Sequence, residues 1–117
     1  MHNFNNLEIW KRSIELTLQV YELTSTFPLD EKYGLISQLK RAAISVPSNI
    51  SEGAGRKSTK EFIQFCHIAI GSLCEVETQL IIANKLKFIS SSGFDNTTAN
   101  LHEIRKMIIG FINTLRK

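Results

Sequence analysis

Three histidines, two cysteines and one glycine-rich basic turn are the residues of this chain whose types could do chemistry, and their spacing argues against most of it. His2, His67 and His102 fall in three separate segments. No Glu-x-x-His pair is present to build the carboxylate-bridged metal centre that some helical bundles hold. A lone bundle histidine is more often a surface or core residue than a ligand. Cys66 and Cys74 lie on one helical segment, separated by a rise of about 12 Å, too far for a disulfide between them. Both read as small apolar packing residues. Gly53-Ala54-Gly55-Arg56-Lys57-Ser58 combines glycines, a basic pair and a helix start. The full P-loop spacing and the preceding strand are missing, however, and a junction between two helices needs Gly and a capping Ser anyway. No catalytic residue, metal or cofactor is therefore expected, and the chain reads as a non-enzyme.

A polar stripe is more informative. Gln38, Arg41, Ser45, Asn49 and Glu52 step by three and four along one segment, and Ser72, Glu75 and Gln79 do so along the next. Any amphipathic helix shows a solvated face at this spacing. Ser, Asn and Gln nevertheless suit a freely exposed face less well than Lys and Glu. They point instead to hydrogen bonds satisfied within a bundle or between subunits.

The elements that must position these residues are helical almost throughout. Leu7, Trp10, Ile14, Leu18 and Tyr21 recur at helical spacing, predicting a first helix from about Asn6 to Thr26 that stops at Phe27-Pro28. A second opens at Asp30 as N-cap and carries Ile36, Leu39, Ala43, Val46 and Ile50 on one face. Because the stripe keeps its phase across Pro47, a kinked helix is expected there rather than a break. Gly53 or Gly55 is expected to end it in the left-handed conformation. Ser58-Thr59-Lys60-Glu61 reads as a capping box. Behind it Phe62, Cys66, Ala69, Leu73, Val76, Leu80 and Ala83 form a heptad-like stripe reaching toward Lys87. Ser90-Ser91-Ser92-Gly93 is a loop by composition. Asp95 or Asn96 caps a last helix bearing Leu101, Ile104, Ile108, Phe111 and Leu115. With no hairpin signal or strand alternation, the fold class is all-α: an antiparallel up-down-up-down four-helix bundle.

Composition agrees with one domain over residues 1–117, with 43% hydrophobic and 21% charged residues, 6 Gly and 2 Pro. A chain of this length buries roughly two-thirds of its unfolded surface without metal or disulfides. The start Met1-His2-Asn3-Phe4-Asn5-Asn6 is polar and lacks a basic region followed by an apolar run, so no secretory signal is expected. No run approaches about 18 uninterrupted apolar residues, so no membrane contact is expected. Two thiols without paired spacing suit a reducing compartment, and the expected location is cytoplasmic.

In an up-down-up-down bundle the start of helix one, the end of two, the start of three and the end of four share a pole. That pole collects Lys11, Arg12, Arg56, Lys57, Lys60, Arg116 and Lys117 against Glu8, Glu52 and Glu61, in a chain of net charge +3. A basic end with a helix N-terminus suits a phosphate backbone, although solubilising charge has the same composition. The third helix also carries a second apolar stripe, Phe65, Ile68, Ile82 and Leu86, interrupted by Ser72, Glu75 and Gln79. A four-helix monomer has one interior, so a helix apolar on two sides predicts a cyclic homo-oligomer. In it the polar residues meet Arg41 or Asn49 across a seam.

These residues resemble a bacterial family known as four-helix bundle proteins, or large-subunit (23S) ribosomal RNA intervening-sequence proteins. The resemblance lies in Leu7-Glu8-Ile9-Trp10, Val20-Tyr21, Phe27-Pro28, Glu31 and Tyr33-Gly34-Leu35. It is strongest in the block from Gln38 to Gly53, and returns in Gly71-Ser72-Leu73, Glu75 and Glu77-Thr78-Gln79-Leu80. Lys40 is a departure, since the family pattern often has Arg or another residue there. The resemblance implies a four-helix subunit, often assembled as a ring-shaped homopentamer, with no established catalytic residues. It further implies kinship with accessory proteins of diversity-generating retroelements, which act beside a reverse transcriptase and bind nucleic acid through basic surfaces. RNA or DNA, a reverse transcriptase or another nucleic-acid-handling protein, and the chain itself are thus the expected partners. The alternative is a structural adaptor that meets a protein without touching nucleic acid.

Overall fold

The structure is a computed structural model and describes residues 2–117; Met1, at the head of the polar start, lies outside the described residues. Four helices account for most of the chain: α1 (Glu8–Thr24), α2 (Leu35–Ala54), α3 (Thr59–Lys85) and α4 (Ser91–Leu115). Each packs on the next and α4 closes against α1, giving a bundle of 45 × 24 × 20 Å. The all-α four-helix architecture expected from the periodicity is the one observed.

The third helix behaves as its heptads predict: Phe62, Cys66, Ala69, Leu73, Val76, Leu80 and Ala83 are all buried. Its length and composition alone would allow a membrane crossing, but here its apolar stripe is a wall of the bundle core. On α2, Leu39, Ala43, Val46 and Ile50 are fully buried and Ile36 half-buried. The helix runs through Pro47 without a break. On α4, Leu101, Ile104 and Ile108 are buried together with Ile112, whereas Phe111 and Leu115 are half-buried.

The first helix turns the other way. Its buried face is Ile9, Ser13, Leu16, Val20 and Thr24, while Leu18 is 64% and Tyr21 41% exposed. The stripe expected from sequence has the right period and the wrong phase. Two hydroxyls on the true inner face disguise it. Ser13 Oγ donates to Trp10 O at 2.8 Å and Thr24 Oγ1 to Tyr21 O at 3.0 Å, so both enter the core with their donors satisfied by their own helix.

Four boundaries also differ. Phe4–Asn6 is a separate 3-10 turn, and α1 starts at Glu8 and ends at Thr24. Asp30 does not cap α2. It lies in the 3-10 turn Leu29–Glu31, and α2 starts at Leu35, whose N–H donates to the Glu31 carboxylate at 3.1 Å. Neither Gly53 nor Gly55 is left-handed: Gly53 is inside α2, and Gly55 at φ −82° is right-handed. The left-handed residue is Lys87, φ 63°, turning the chain from α3 toward α4. Finally, the Ser90–Gly93 stretch is not a loop. Ser90 Oγ accepts from Gly93 N at 3.0 Å and caps α4 ahead of Asp95 and Asn96. Serine-rich composition is ambiguous between loop and cap because the same hydroxyl serves both.

Candidate functional site

The residues expected from the sequence fall in two places, the pole at the α2–α3 junction and the face shared by α2 and α3. At the pole, the His2 N–H donates to Ala54 O at 2.9 Å and ties the chain start to the end of α2. The His2 ring meets Phe62 edge-on at 5.0 Å, and Phe62 meets Phe111 at 5.3 Å. The chain start, the end of α2, the first turn of α3 and the last turns of α4 are thereby gathered at one end. Ser58 Oγ accepts from Glu61 N at 3.1 Å and donates to the Glu61 carboxylate at 3.2 Å. That carboxylate answers the Ser58 hydroxyl, whereas the expected box has it answer the backbone N–H of the capping residue.

The seven basic residues expected at this pole divide into two groups. Arg12 turns along the bundle: one Nη donates to Asn100 Oδ1 at 2.6 Å, and Glu15 lies at 3.7 Å. Asn100 in turn donates to Gln19 at 2.7 Å, so Arg12 belongs to an α1–α4 polar clasp and is withdrawn from the pole. Lys11 pairs with Glu8 at 3.6 Å. Arg56 pairs with Glu52 at 3.6 Å and lies over the Phe65 ring at 4.9 Å. Lys57, Lys60, Arg116 and Lys117 are exposed and make no ion pair among the described residues. These four are the free cations of the pole.

The polar stripe also divides. Ser45 and Ser72 share a hydrogen bond of 2.7 Å, and Asn49 Nδ2 donates to Ser45 O at 2.8 Å and Ser45 Oγ at 2.9 Å. The Ser45–Ser72 bond stitches α2 to α3 within one chain, and Asn49 braces Ser45 from its own helix. Glu52 belongs to Arg56. Gln38, Arg41, Ser45, Glu75 and Gln79, with Ala42, line a cleft of about 360 Å³.

A third constellation escapes a reading of the sequence. Glu77 on α3 accepts from Arg105 Nη2 at 2.6 Å and bonds His102 Nε2 at 2.6 Å, both from α4. Those two hydrogen bonds, His102 first, hold the Glu77 carboxyl below its ordinary value, and the bond to Glu77 raises Arg105. His102 and Arg105 sit three apart on α4, but only the α3–α4 register selects Glu77 as their partner. The two thiols are unlike. Cys66 is buried and pushed up to about 11 by that burial. Cys74 is exposed, beside Arg105 at 4.0 Å, and is not the packing residue expected. His2, His67 and His102 remain apart, and no cluster of three metal-ligating side chains occurs among the described residues.

A family model, that of the 23S rRNA-intervening sequence proteins, matches residues 5–110. The chain belongs to that family. The family assignment covers both polar regions and nearly all of the four helices, leaving out the basic chain end, Arg116 and Lys117. Among solved structures, a protein of unknown function from the S23 ribosomal protein family of Bacteroides thetaiotaomicron is similar at TM-score 0.80. It is 21% identical, and the match covers 89% of this chain and 97% of that one. At that identity the likeness speaks for the fold. No curated protein matches the chain.

Proposed function

We propose that this member of the 23S rRNA-intervening sequence family is a non-enzymatic cytoplasmic protein that binds RNA, or an RNA-protein complex, through its basic pole. The observation that carries the reading is that Lys57 and Lys60, at the start of α3, and Arg116 and Lys117, after the end of α4, are exposed and make no ion pair among the described residues. Phosphate groups are drawn to such a surface by counterion release and by the partial positive charge at a helix start. Arg56, braced on Phe65, adds a guanidinium that can exchange Glu52 for a phosphate.

The bundle acts as a closed homo-oligomer, five-membered by resemblance to the family, which multiplies the pole into a collar and lets many weak phosphate contacts act together. Exposed Ile68, Ile82 and Leu86, at 46%, 44% and 53%, are the faces that assembly covers. A reverse transcriptase or another nucleic-acid-handling protein is the expected protein partner. The adaptor reading, in which the bundle meets only protein, draws on the same apolar faces.

Replacing Arg56, Lys57 and Lys60 together by Gln tests the pole. Binding to single-stranded and duplex RNA should weaken alike, and the log-log salt slope should flatten by roughly 0.7–0.9 for each phosphate that is no longer neutralised. A wild-type protein without salt-sensitive binding to any nucleic acid at low ionic strength would overturn this reading in favour of the adaptor.

A further inference from the structure

The apolar stripe of α1 that the core does not use still has to meet something. Trp10, Ile14 and Tyr21 recur at helical spacing, yet the inward face of the helix is Ile9, Ser13, Leu16, Val20 and Thr24. Trp10 and Ile14 are half-buried and Tyr21 is exposed. Trp10 and Ile14, with Phe4, form one bank of an open groove of about 280 Å³ whose other bank is Ile44, Pro47 and Ser48 of α2. Trp10 stands in the first turn of α1 and Ser51, which also lines the groove, in the last turn of α2. The groove therefore opens at the basic pole. No acidic side chain lines it among the described residues. Glu8, Glu15 and Glu22 each follow a stripe residue by one position, after Leu7, Ile14 and Tyr21, and so stand about 100° from it around the helix.

Two aromatic rings mark the ends of this track. At the pole, the Trp10 ring is braced edge-on by Phe4 at 5.2 Å. Mid-way, Pro47 has no N–H to offer Ala43 O; Thr17 Oγ1 reaches that carbonyl at 3.2 Å while donating to Ser13 O at 2.9 Å, and so ties α1 to α2 at this level. One turn further from the pole Lys40 Nζ lies 4.5 Å from the centre of the Tyr21 ring. Lys40 makes no ion pair among the described residues. Trp10 and Tyr21 stand about 16 Å apart along α1, a span that about five stacked nucleotides cover at about 3.4 Å each.

We infer that the α1–α2 groove holds an unpaired stretch of RNA, with bases stacked on Trp10 and Tyr21 and laid against Ile14 and Ile44, and with phosphates drawn to Lys40 and onward to the basic pole. Every base has a π face, so aromatic rings beside a cationic path bind single strands with little regard to sequence. A protein occupant would ask only for apolar area, whereas rings at both ends, an ammonium without a carboxylate partner and an acid-free lining suit a polyanion that carries flat bases. A duplex keeps its bases stacked on one another and can offer the groove nothing but its backbone. This rests on the RNA reading above and adds the form of the substrate: single-stranded RNA engages groove and pole, duplex the pole alone.

Trp10 is the only tryptophan of the chain, so its emission, excited where tyrosine does not absorb, reports on the groove directly. The full-length protein is titrated at about 0.1 M salt with a single-stranded RNA of about ten nucleotides that has no self-complementarity, and separately with the same strand annealed to its complement. The single strand should quench Trp10; the duplex should bind without quenching. Two variants at exposed positions, Ile44→Glu and Tyr21→Leu, are compared with wild type after thermal melts by circular dichroism confirm that they fold. Each should weaken single-strand binding at least about fivefold, through a carboxylate set among the bases or through a lost stacking ring. Duplex binding should not change, because position 44 lies about 18 Å along α2 from Arg56, beyond the screening length of about 10 Å at this salt. Single-stranded RNA that binds with Trp10 emission unchanged, or variants that lose both forms equally or neither, refutes the groove, leaves the pole standing and returns the apolar stripe to a protein partner. A wild type that binds no RNA at low ionic strength overturns the RNA reading and this inference together.

Discussion

α2 and α3 approach closely at Gly53, and adding one methyl group there tests the packing of the junction. A Cβ built at Gly53 falls 2.7 Å from Phe65 Cβ and 2.8 Å from Phe62 Cδ1. Carbon atoms pack at about 3.5 Å or more, so the substitution Gly53→Ala demands a displacement of roughly 0.8 Å. Phe65 Cβ is fixed to the α3 backbone and cannot yield by a rotamer change. Phe62 is 1% exposed and held between His2 and Phe111. The helices must therefore separate, at an overpacking cost of about 1–3 kcal/mol. Alanine returns up to about 1 kcal/mol of helix propensity, which would obscure the result if the variant were measured alone. Gly110→Ala supplies the control, since that glycine is exposed inside α4 with nothing within 4 Å of an added Cβ. It should gain about 0.5–1 kcal/mol. Propensity largely cancels between the two variants, leaving a difference of about 1–3 kcal/mol. In a domain of about 100 residues that separates their melting temperatures by at least about 4 °C. Both are measured at one protein concentration, because assembly makes Tm concentration-dependent. A Gly53→Ala protein that melts with or above Gly110→Ala would show that the α2–α3 approach is looser than these distances require.

Leu73→Ala, at the fully buried centre of α3, should cost about 2–5 kcal/mol in denaturant unfolding through lost transfer energy and the cavity left behind; a midpoint unchanged from wild type would contradict the placement. Toward a thiol reagent at pH 8 only Cys74 should react in the native protein, with Cys66 appearing on unfolding, because Cys66 is buried and its thiol is pushed up to about 11. Two fast thiols in native protein would mean that α3 is not seated. Glu77 predicts an acid limb: its folded carboxyl is held below the ordinary 4.5, so its contribution is complete above that value and is lost as pH falls below it. Glu77→Gln should flatten stability against pH below about 4.5, and an acid limb identical to wild type would remove Glu77 from that role.

The site was legible to different depths along the chain. The heptads of α3 and the apolar face of α2 could be read directly because every core position on them is apolar or small. The α1 face could not, since Ser13 and Thr24 are buried with their hydroxyls on their own helix carbonyls. Trp10, Leu18 and Tyr21 offered a more apolar stripe of the same period. Periodicity gives the pitch of a helix, but the neighbours select which face turns inward. The basic pole was legible as charge. That Arg12 leaves it for Asn100, and Arg56 leans on Phe65, depends on which helix lies alongside.

By itself the sequence determined the number and order of the helices, the core stripes of three of them, the Ser58 cap and the family, because these depend on contacts within a few residues or on composition. The tertiary structure decided the phase of α1, the separation of the polar stripe into an internal Ser45–Ser72 stitch braced by Asn49 and an open Arg41–Glu75–Gln79 cleft, and the Glu77–His102–Arg105 clasp. Each of these turns on the register of one helix against another. A shift of one residue rotates a side chain by about 100° around its helix. No pattern within a single helix contains that choice; it is made when the four stripes pack into one core.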